Sequence, residues 1–202
     1  MAEQPRRRNA LAHLGLAACA DTSADAGVVL SELPFRHQIA VRGDSDDPAL
    51  IEAVQQVIGA KPPTEHNTAA GPADLAAGPR ILWLGPDEWL VVSADNRAAA
   101  LASALATQHA AVVDVSDGRT VISISGPNAR DLLAKGCPLD LHPRVFAPGR
   151  CAQTVIAHAH VIIHQIDDAP CYEVYVHRSF ADYFWHWLED AANEYGMAVA
   201  SD

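Results

Sequence analysis

The chain has 202 residues, which is enough for one sizeable core or two small joined lobes but too few for a large multidomain enzyme. Half of the residues are hydrophobic and only 6% are aromatic, so the composition suits a folded α/β-type interior and excludes a disordered tail. The formal net charge of -11 argues against nucleic acid as a partner, because binding to the phosphate backbone requires clustered Lys and Arg.

Residues 1–29 are predicted to form a flexible N-terminal arm or a short helix that docks on a neighbour. No apolar segment approaches the roughly 20 residues that span a bilayer, so a membrane is not expected as a partner. The cysteines are far apart and include no CxxC pair: Cys19, Cys137, Cys151 and Cys171. This spacing argues against a zinc knuckle or a redox dithiol and predicts reduced thiols in a cytoplasmic protein.

The first predicted elements are a strand, a helix and a long loop. Alternating apolar residues predict a strand at residues 32–41. Pro48, followed by apolar residues at helical spacing, predicts a helix that ends at Gly59. The stretch 61–79 is rich in Pro, Gly, Ala and Asn, which predicts an exposed loop or a loop ordered by a partner.

The middle of the chain predicts two hairpins, each followed by a helix. Residues 80–93 form two apolar runs around a Gly-Pro-Asp-Glu turn, and residues 111–125 repeat this pattern around an Asp-Gly turn. A helix is predicted at about residues 96–109. The strand-to-helix turn at residues 126–128 opens a third helix, which Gly136 ends.

The last part of the chain predicts two paired strands and a helix. The runs 152–165 and 172–177 alternate like antiparallel strands, and Ser179 is predicted to cap an amphipathic final helix. The whole order predicts an α+β fold made of tandem split βαβ layers, with antiparallel or mixed sheets covered by helices. We expect a first lobe at residues 30–109, which includes the exposed loop, and a second lobe at residues 110–202.

No combination of residues predicts a catalytic, cofactor-binding or metal site. Three evenly spaced histidines share one face of a predicted strand, as metal ligands can, but no carboxylate accompanies them: His158, His160 and His164. The carboxylates near the two predicted hairpin turns are better explained as turn residues than as acids or bases: Asp87, Glu88, Asp114 and Asp117.

The tryptophans indicate a surface for a protein partner. Trp185 and Trp187 lie two positions apart on a predicted helix, so their side chains diverge by about 200° and cannot both face inward. Tryptophan is also enriched in interface hot spots. We therefore predict that Trp83, Trp89 and Trp185 take part in an interface.

Several motifs, taken in order, resemble the gamma subunit of heterotetrameric sarcosine oxidase. They are WLGPDEWL at residues 83–90, DVSDGRT at 114–120 leading into SGPNA at 125–129, and RSFADY at 178–183. The resemblance covers most of residues 30–196. It implies a fold similar to the folate-binding lobes of the aminomethyltransferase of the glycine cleavage system.

The resemblance also implies what surrounds the chain. In that oxidase family the complex demethylates sarcosine oxidatively to glycine. Its partners would be the alpha, beta and delta subunits, and FAD, FMN, NAD, tetrahydrofolate and zinc would belong to those subunits and not to this chain. The gamma subunit would be non-catalytic and would support the flavin-bearing subunits.

The sequence departs from the aminomethyltransferase pattern at the folate site. The stretch similar to the strand with the catalytic aspartate reads ILWLG at residues 81–85, without a carboxylate. The glutamate-bearing turn is replaced by DDAP at residues 167–170. Two alternatives stay open: a folate-dependent one-carbon transferase or folate sensor that acts alone, and the equivalent subunit of an N-methylglutamate dehydrogenase-type complex.

Overall fold

The structure is a computed structural model that describes residues 8–18 and 26–200. Two β-sheets lie face to face, and each carries two helices on its outer side, so the fold has four layers. The strands in chain order are β1 (Val28–Glu32), β2 (His37–Gly43), β3 (Ala69–Ala70), β4 (Arg80–Gly85), β5 (Glu88–Ser93), β6 (Ala110–Asp114), β7 (Arg119–Ser125), β8 (Cys151–Ile156), β9 (Ala159–Asp167), β10 (Cys171–His177) and β11 (Met197–Val199). The helices are α1 (Pro48–Ile58), α2 (Ala98–Ala104), α3 (Ala129–Ala134) and α4 (Ala181–Ala192).

The larger sheet has six strands in the order β11-β1-β7-β10-β9-β8, and the smaller has five in the order β3-β4-β5-β2-β6. All neighbouring strands are antiparallel except β1 and β11, which are parallel. The expected α+β class, with antiparallel and mixed sheets covered by helices, is confirmed.

The predicted N-terminal arm lies only partly within the described residues, which omit 1–7 and 19–25. In the described part, residues 12–14 and 16–18 form short 3-10 turns. Leu11 is fully buried in the apolar cluster of the larger sheet, and its N–H donates to the carboxylate of Glu32 at 3.0 Å. This part of the arm therefore docks on the chain's own core.

Elements with strong local signals form where the sequence places them. Helix α1 begins after Asp47, whose carboxylate accepts the backbone N–H of Ala49 at 2.9 Å, and Pro48 occupies its first turn. It ends at Gly59, which has a φ of 83° in the left-handed region. The first hairpin is also confirmed, with β4 and β5 joined by a turn in which Asp87 has a φ of 61°.

The later helices form close to their predicted positions, but their lengths and caps differ from the prediction. Helix α2 is shorter than predicted, and α3 forms where the turn at residues 126–128 indicates. Ser179 does not cap α4, because residues 178–180 form a 3-10 turn and α4 starts at Ala181. Hydrophobic side chains of α4, including Phe184 and Leu188, bury against the six-stranded sheet.

One predicted strand is divided and one predicted hairpin does not form, because the chain crosses between the sheets. The strand predicted at 32–41 is divided at residues 33–36, where the chain leaves β1 and enters β2 in the other sheet. The second predicted hairpin does not form, since β6 pairs with β2 whereas β7 pairs with β1 and β10. Between them Ser116 turns the chain, and its hydroxyl accepts the N–H of Gln38 at 3.0 Å. The sheets therefore do not follow the division predicted at residue 110.

The stretch 61–79 is more structured than an exposed loop. It contains the two-residue strand β3, and the N–H of Ala69 donates to the carbonyl oxygen of Gly149 at 2.8 Å. The indole N–H of Trp89 donates to the carbonyl oxygen of Pro63 at 2.7 Å. Through these hydrogen bonds, the stretch connects one edge of the smaller sheet to the larger sheet.

The predicted run 152–165 consists of two strands. Strands β8 and β9 form a hairpin around Ala157, which has a φ of 52°. Alanine seldom adopts this conformation, whereas Gly or Asn usually marks such turns, so the sequence carries no signal for it.

Candidate functional site

A cluster of polar side chains is buried between the two sheets. Arg80, the first residue of β4, donates from Nη2 to Oε1 of Glu173 in β10 at 3.0 Å. Arg36, which lies between β1 and β2, brings its Nη1 to 2.6 Å from the same oxygen. The hydroxyl of Tyr175 donates to Oε2 of Glu173 at 2.8 Å. One carboxylate therefore connects groups from both sheets and from the segment that crosses between them.

The neighbours of Glu173 keep it ionised. Burial alone would raise the pKa of this carboxyl, but Arg80 and Arg36 stabilise the charged form, and its pKa lies below the usual range. The pKa of Tyr175 is raised, mainly by burial and then by the charge of Glu173, so the phenol stays protonated. The cluster holds two cations, one anion and a neutral phenol.

His164 completes the cluster from β9. Its Nδ1 lies 3.3 Å from Nη1 of Arg80, and its side chain is buried. Burial, and then the positive charge of Arg80, lowers the pKa of His164 to about 3. The imidazole is neutral at physiological pH. Because a guanidinium only donates hydrogen bonds, Nδ1 is the acceptor and Nε2 carries the proton.

A cavity of about 170 Å³ lies beside this cluster, with Arg80 and His164 in its wall. The rest of the wall comes from small or apolar residues of the β3–β4 connection, from Gly149 and from Ile166 at the end of β9. The Nε of Arg80 is buried and has no hydrogen-bond partner among the described residues. The sequence reasoning missed this site, although a single glutamate in the otherwise apolar and aromatic β10 was a signal that could have found it.

The predicted interface tryptophans lie mainly in the core, which corrects two of the three assignments. Trp89 is only 1% exposed, and its side chain packs among α1, α2 and the smaller sheet. Trp185 is fully buried, and its indole N–H donates to Glu189 at 2.9 Å. Neither offers a surface to a partner in this fold. Trp83 is half-buried, so its interface role stays a prediction.

The side chains of Trp185 and Trp187 on α4 point in different directions, as expected, but the one that faces the core is Trp185, which was predicted to face a partner. Trp185 faces the core, and Trp187 is half-buried. Trp187 stacks on Phe184 with ring centroids 6.1 Å apart, and it leaves no space for a Cβ on Gly136, since such an atom would lie 2.6 Å from its ring. The small residue at the end of α3 is therefore needed for close packing against α4.

The three evenly spaced histidines do not form a metal site. His158 lies in the β8–β9 turn and is exposed, as is His160, whereas His164 is buried beside Arg80. Residues 8–18 and 26–200 contain no group of three His, Cys, Asp or Glu side chains that could hold a metal ion.

The carboxylates at the turns have structural partners. Asp87 accepts the N–H of Ser45 at 2.8 Å, and this bond lowers the pKa of the exposed carboxyl. Asp114 accepts from the hydroxyl and N–H of Ser116, and these bonds outweigh desolvation and lower its pKa. Glu88 forms a surface ion pair with Arg42 at 2.9 Å.

The described cysteines are free thiols. Cys137 and Cys151 are buried and Cys171 is partly buried, while Cys19 lies outside the described residues. Burial raises the pKa of Cys151 to about 12, so this thiol is protonated and unreactive. None of the helices in the described ranges is long and apolar enough to cross a membrane.

Comparison with known sequences identifies relatives along almost the whole chain. The sequence profile of the family described as sarcosine oxidase, gamma subunit family matches residues 42–194. Sarcosine oxidase subunit gamma from Arthrobacter sp. is 36% identical over 200 residues, which cover 96% of this chain and 94% of that protein. Sarcosine oxidase subunit gamma from Corynebacterium sp. strain U-96 is 33% identical over 95% of this chain and 93% of that protein.

Solved structures agree with the sequence relatives. A chain of the heterotetrameric sarcosine oxidase from Corynebacterium sp. U-96 matches with a TM-score of 0.85 and 32% identity, covering 95% of this chain and 97% of that chain. The aminomethyltransferase T of the glycine cleavage system from Bartonella henselae matches with a TM-score of 0.66 and 14% identity, covering 95% of this chain and 58% of that chain. The second match shows the fold alone.

Proposed function

The chain belongs to the sarcosine oxidase gamma subunit family, and we propose that it is the non-catalytic gamma subunit of a heterotetrameric sarcosine oxidase. The complex would demethylate sarcosine oxidatively to glycine. The observation that carries this proposal is the extent of the match: a chain of a heterotetrameric sarcosine oxidase aligns over 95% of this chain and 97% of its own length at 32% identity.

We propose the partners and cofactors on the basis of the same relationship. Alpha, beta and delta subunits would surround this chain, and FAD, FMN, NAD, tetrahydrofolate and zinc would lie in those subunits. In the described part of this chain, the buried charged groups form one structural cluster, and the exposed carboxylates at turns serve backbone geometry. These structural roles are consistent with a subunit that contributes to the assembly and the shape of the complex. We propose that the complex is cytoplasmic.

Expression with and without the other subunits tests this role. Obligate interfaces commonly bury more than about 2,000 Å², so the isolated chain is expected to aggregate or to be poorly soluble. Co-expressed with the flavin-bearing subunits, it is expected to be soluble and to co-purify in equal amounts. A stable monomer with no affinity for those subunits would contradict the proposal.

Binding of tetrahydrofolate separates this role from a folate enzyme that acts alone. Residues 81–85 form most of β4 and carry no carboxylate, so this chain lacks the acid that the aminomethyltransferase pattern implies there. Calorimetry with the chain kept in solution by a fused solubility tag is expected to show no micromolar binding of tetrahydrofolate. Micromolar binding would favour the folate enzyme or sensor.

A further inference from the structure

The cavity beside β4 and β9 has an uneven distribution of charge. Of the described residues that line it, Arg80 and His164 are the two with ionisable side chains, and none is acidic. The guanidinium of Arg80 is almost completely buried, with a relative exposure of 1%. An anion entering this cavity would therefore meet a fixed positive charge in a low-dielectric setting, where Coulomb interactions are strong.

Arg80 has hydrogen-bonding capacity that the described part of the chain does not use. Its Nη2 donates to Glu173 and its Nη1 to His164, but its Nε has no partner there. A buried polar group without a hydrogen bond is unfavourable, and a charged group is more costly than a neutral one. The unused donor is thus a sign that the described residues satisfy Arg80 incompletely.

The charges of the cluster do not balance. Arg80 and Arg36 share the single carboxylate of Glu173, and Tyr175 and His164 are neutral. The side chains of this cluster therefore carry one net positive charge. The proton on Nε2 of His164 provides a further donor in the cavity wall, because Nδ1 is occupied by Arg80.

The size of the cavity limits the ligand. A cavity of about 150 Å³ in another protein accommodates benzene, which has six non-hydrogen atoms. The cavity here, at about 170 Å³, is of similar size and cannot enclose a whole folate molecule. We propose that it binds a small carboxylate, which supplies the missing negative charge beside Arg80 and accepts a hydrogen bond from His164. The carboxylate belongs either to a free small molecule or to an acidic side chain of a neighbouring subunit.

Acetate and acetamide form a matched pair of probes, since they share a shape and differ in charge. We would measure their binding by ligand-observed NMR, with the full chain kept in solution by a fused solubility tag and with the assembled complex. Acetate is expected to bind at least about tenfold more tightly than acetamide, because charge-assisted hydrogen bonds are the stronger ones. A neutral ligand that binds equally well would overturn the proposal.

A substitution that narrows the cavity and leaves the buried charged cluster unchanged should not disturb the fold, so a change in acetate binding can be assigned to the cavity. Ala73 is exposed and lines the cavity, whereas Ala76, on the same connection, is exposed and does not line it. Ala73→Leu is expected to weaken acetate binding by about tenfold or more, and Ala76→Leu to leave it unchanged. Equal binding by the two variants would place acetate elsewhere and contradict the proposal.

The two sources of the carboxylate give different results. Binding to both the chain and the complex indicates a free ligand, and binding to the chain alone indicates that an acidic side chain of a partner fills the cavity in the complex. A structure of the complex would then show a partner's Asp or Glu beside Arg80. Absence of acetate binding in both samples, together with only water beside Arg80 in the complex, would refute the carboxylate site.

Discussion

The two faces of the six-stranded sheet are built on different physical principles. On its outer face, Tyr172 and Val174 of β10 pack in a large apolar cluster with α3 and α4. On its inner face, the alternate residues Glu173 and Tyr175 meet the five-stranded sheet and take part in the ion cluster with Arg80. The outer face requires mainly the right volume, whereas the inner face also requires specific partners at specific distances. We expect the inner face to fix how the two sheets align.

Neutralising the carboxylate of Glu173 is expected to destabilise the inner face more than any other single change. Glu173→Gln would remove the carboxylate that Arg80 and Arg36 share, and loss of one partner of a buried pair costs about 3–5 kcal/mol. The free energy of opening of β9 and β10, measured by amide hydrogen exchange in the assembled complex, should fall by that amount.

The control for this variant is the same substitution on the surface. Glu52 on α1 is exposed, so Glu52→Gln should change the free energy of opening by less than about 0.5 kcal/mol. If Glu173→Gln had as small an effect as Glu52→Gln, the ion cluster would not be a determinant of stability.

Truncating a large aromatic side chain breaks the outer face. Trp185 belongs to α4 and is fully buried, so Trp185→Ala should lower the free energy of opening of α4 by about 3–5 kcal/mol, through lost burial and the cavity that remains. Hydrogen exchange of α4 measures this loss.

Trp83 provides the comparison for Trp185, because it is half-buried. Trp83→Ala should lower the free energy of opening less than Trp185→Ala does. As a predicted interface residue, Trp83 should matter more for assembly, so Trp83→Ala should weaken binding to the other subunits more than Trp185→Ala does. Equal stability losses in the two variants, with assembly unchanged in both, would remove Trp83 from the predicted interface.

Lowering the pH should reduce the stability of the inner face, because His164 is held in its neutral form there. The folded state holds the pKa of His164 at about 3, below the ordinary value of 6.5, so the unfolded chain binds a proton that the folded chain does not. Stability therefore decreases as the pH falls from about 7.5 to about 5, and His164 accounts for about 2 kcal/mol of this decrease. Glu173, whose pKa is lowered, contributes a loss of the same sign only in more acidic solution.

The variant His164→Gln isolates this contribution, because glutamine keeps an acceptor for Arg80 and does not titrate. It should lose the pH dependence between about pH 7.5 and pH 5, whereas His160→Gln, at an exposed position of the same strand, should keep it. Hydrogen exchange corrected for its intrinsic pH dependence measures the slope. An unchanged slope in His164→Gln would show that other groups cause it.

The smallest expected effect belongs to the surface. Arg42 and Glu88 form an exposed ion pair at 2.9 Å between β2 and β5. Arg42→Met should lower the free energy of opening of these strands by less than about 1 kcal/mol, and salt should reduce the difference. A larger, salt-independent loss would show that surface pairing matters here as much as the buried cluster.

The sequence predicts the elements that short-range chemistry determines. Helix α1 has its cap at Asp47, its Pro48 and its final Gly59 within a few residues, and the β4–β5 hairpin has its turn between two apolar runs. The crossings between sheets were not predicted, because they depend on pairing between distant strands. Nothing near β6 indicates that it pairs with β2 and not with β7.

The candidate site was hidden for the same reason. Arg80 and Glu173 are 93 positions apart, and neither belongs to a local motif. Trp89 and Trp185 were predicted to contact a partner because tryptophan is common in interfaces, but the four-layer fold buries both in its own core. The resemblance of motifs along the chain identified the family where the local residues could not.

Native mass spectrometry of the tagged chain, purified from cells that express the complete set of subunits, is the decisive experiment for its role as a gamma subunit. We predict an assembly of four different subunits with one copy of this chain, and dissociation of this chain should leave it prone to aggregation. A stable, folded chain that is found alone or only with copies of itself would contradict that role.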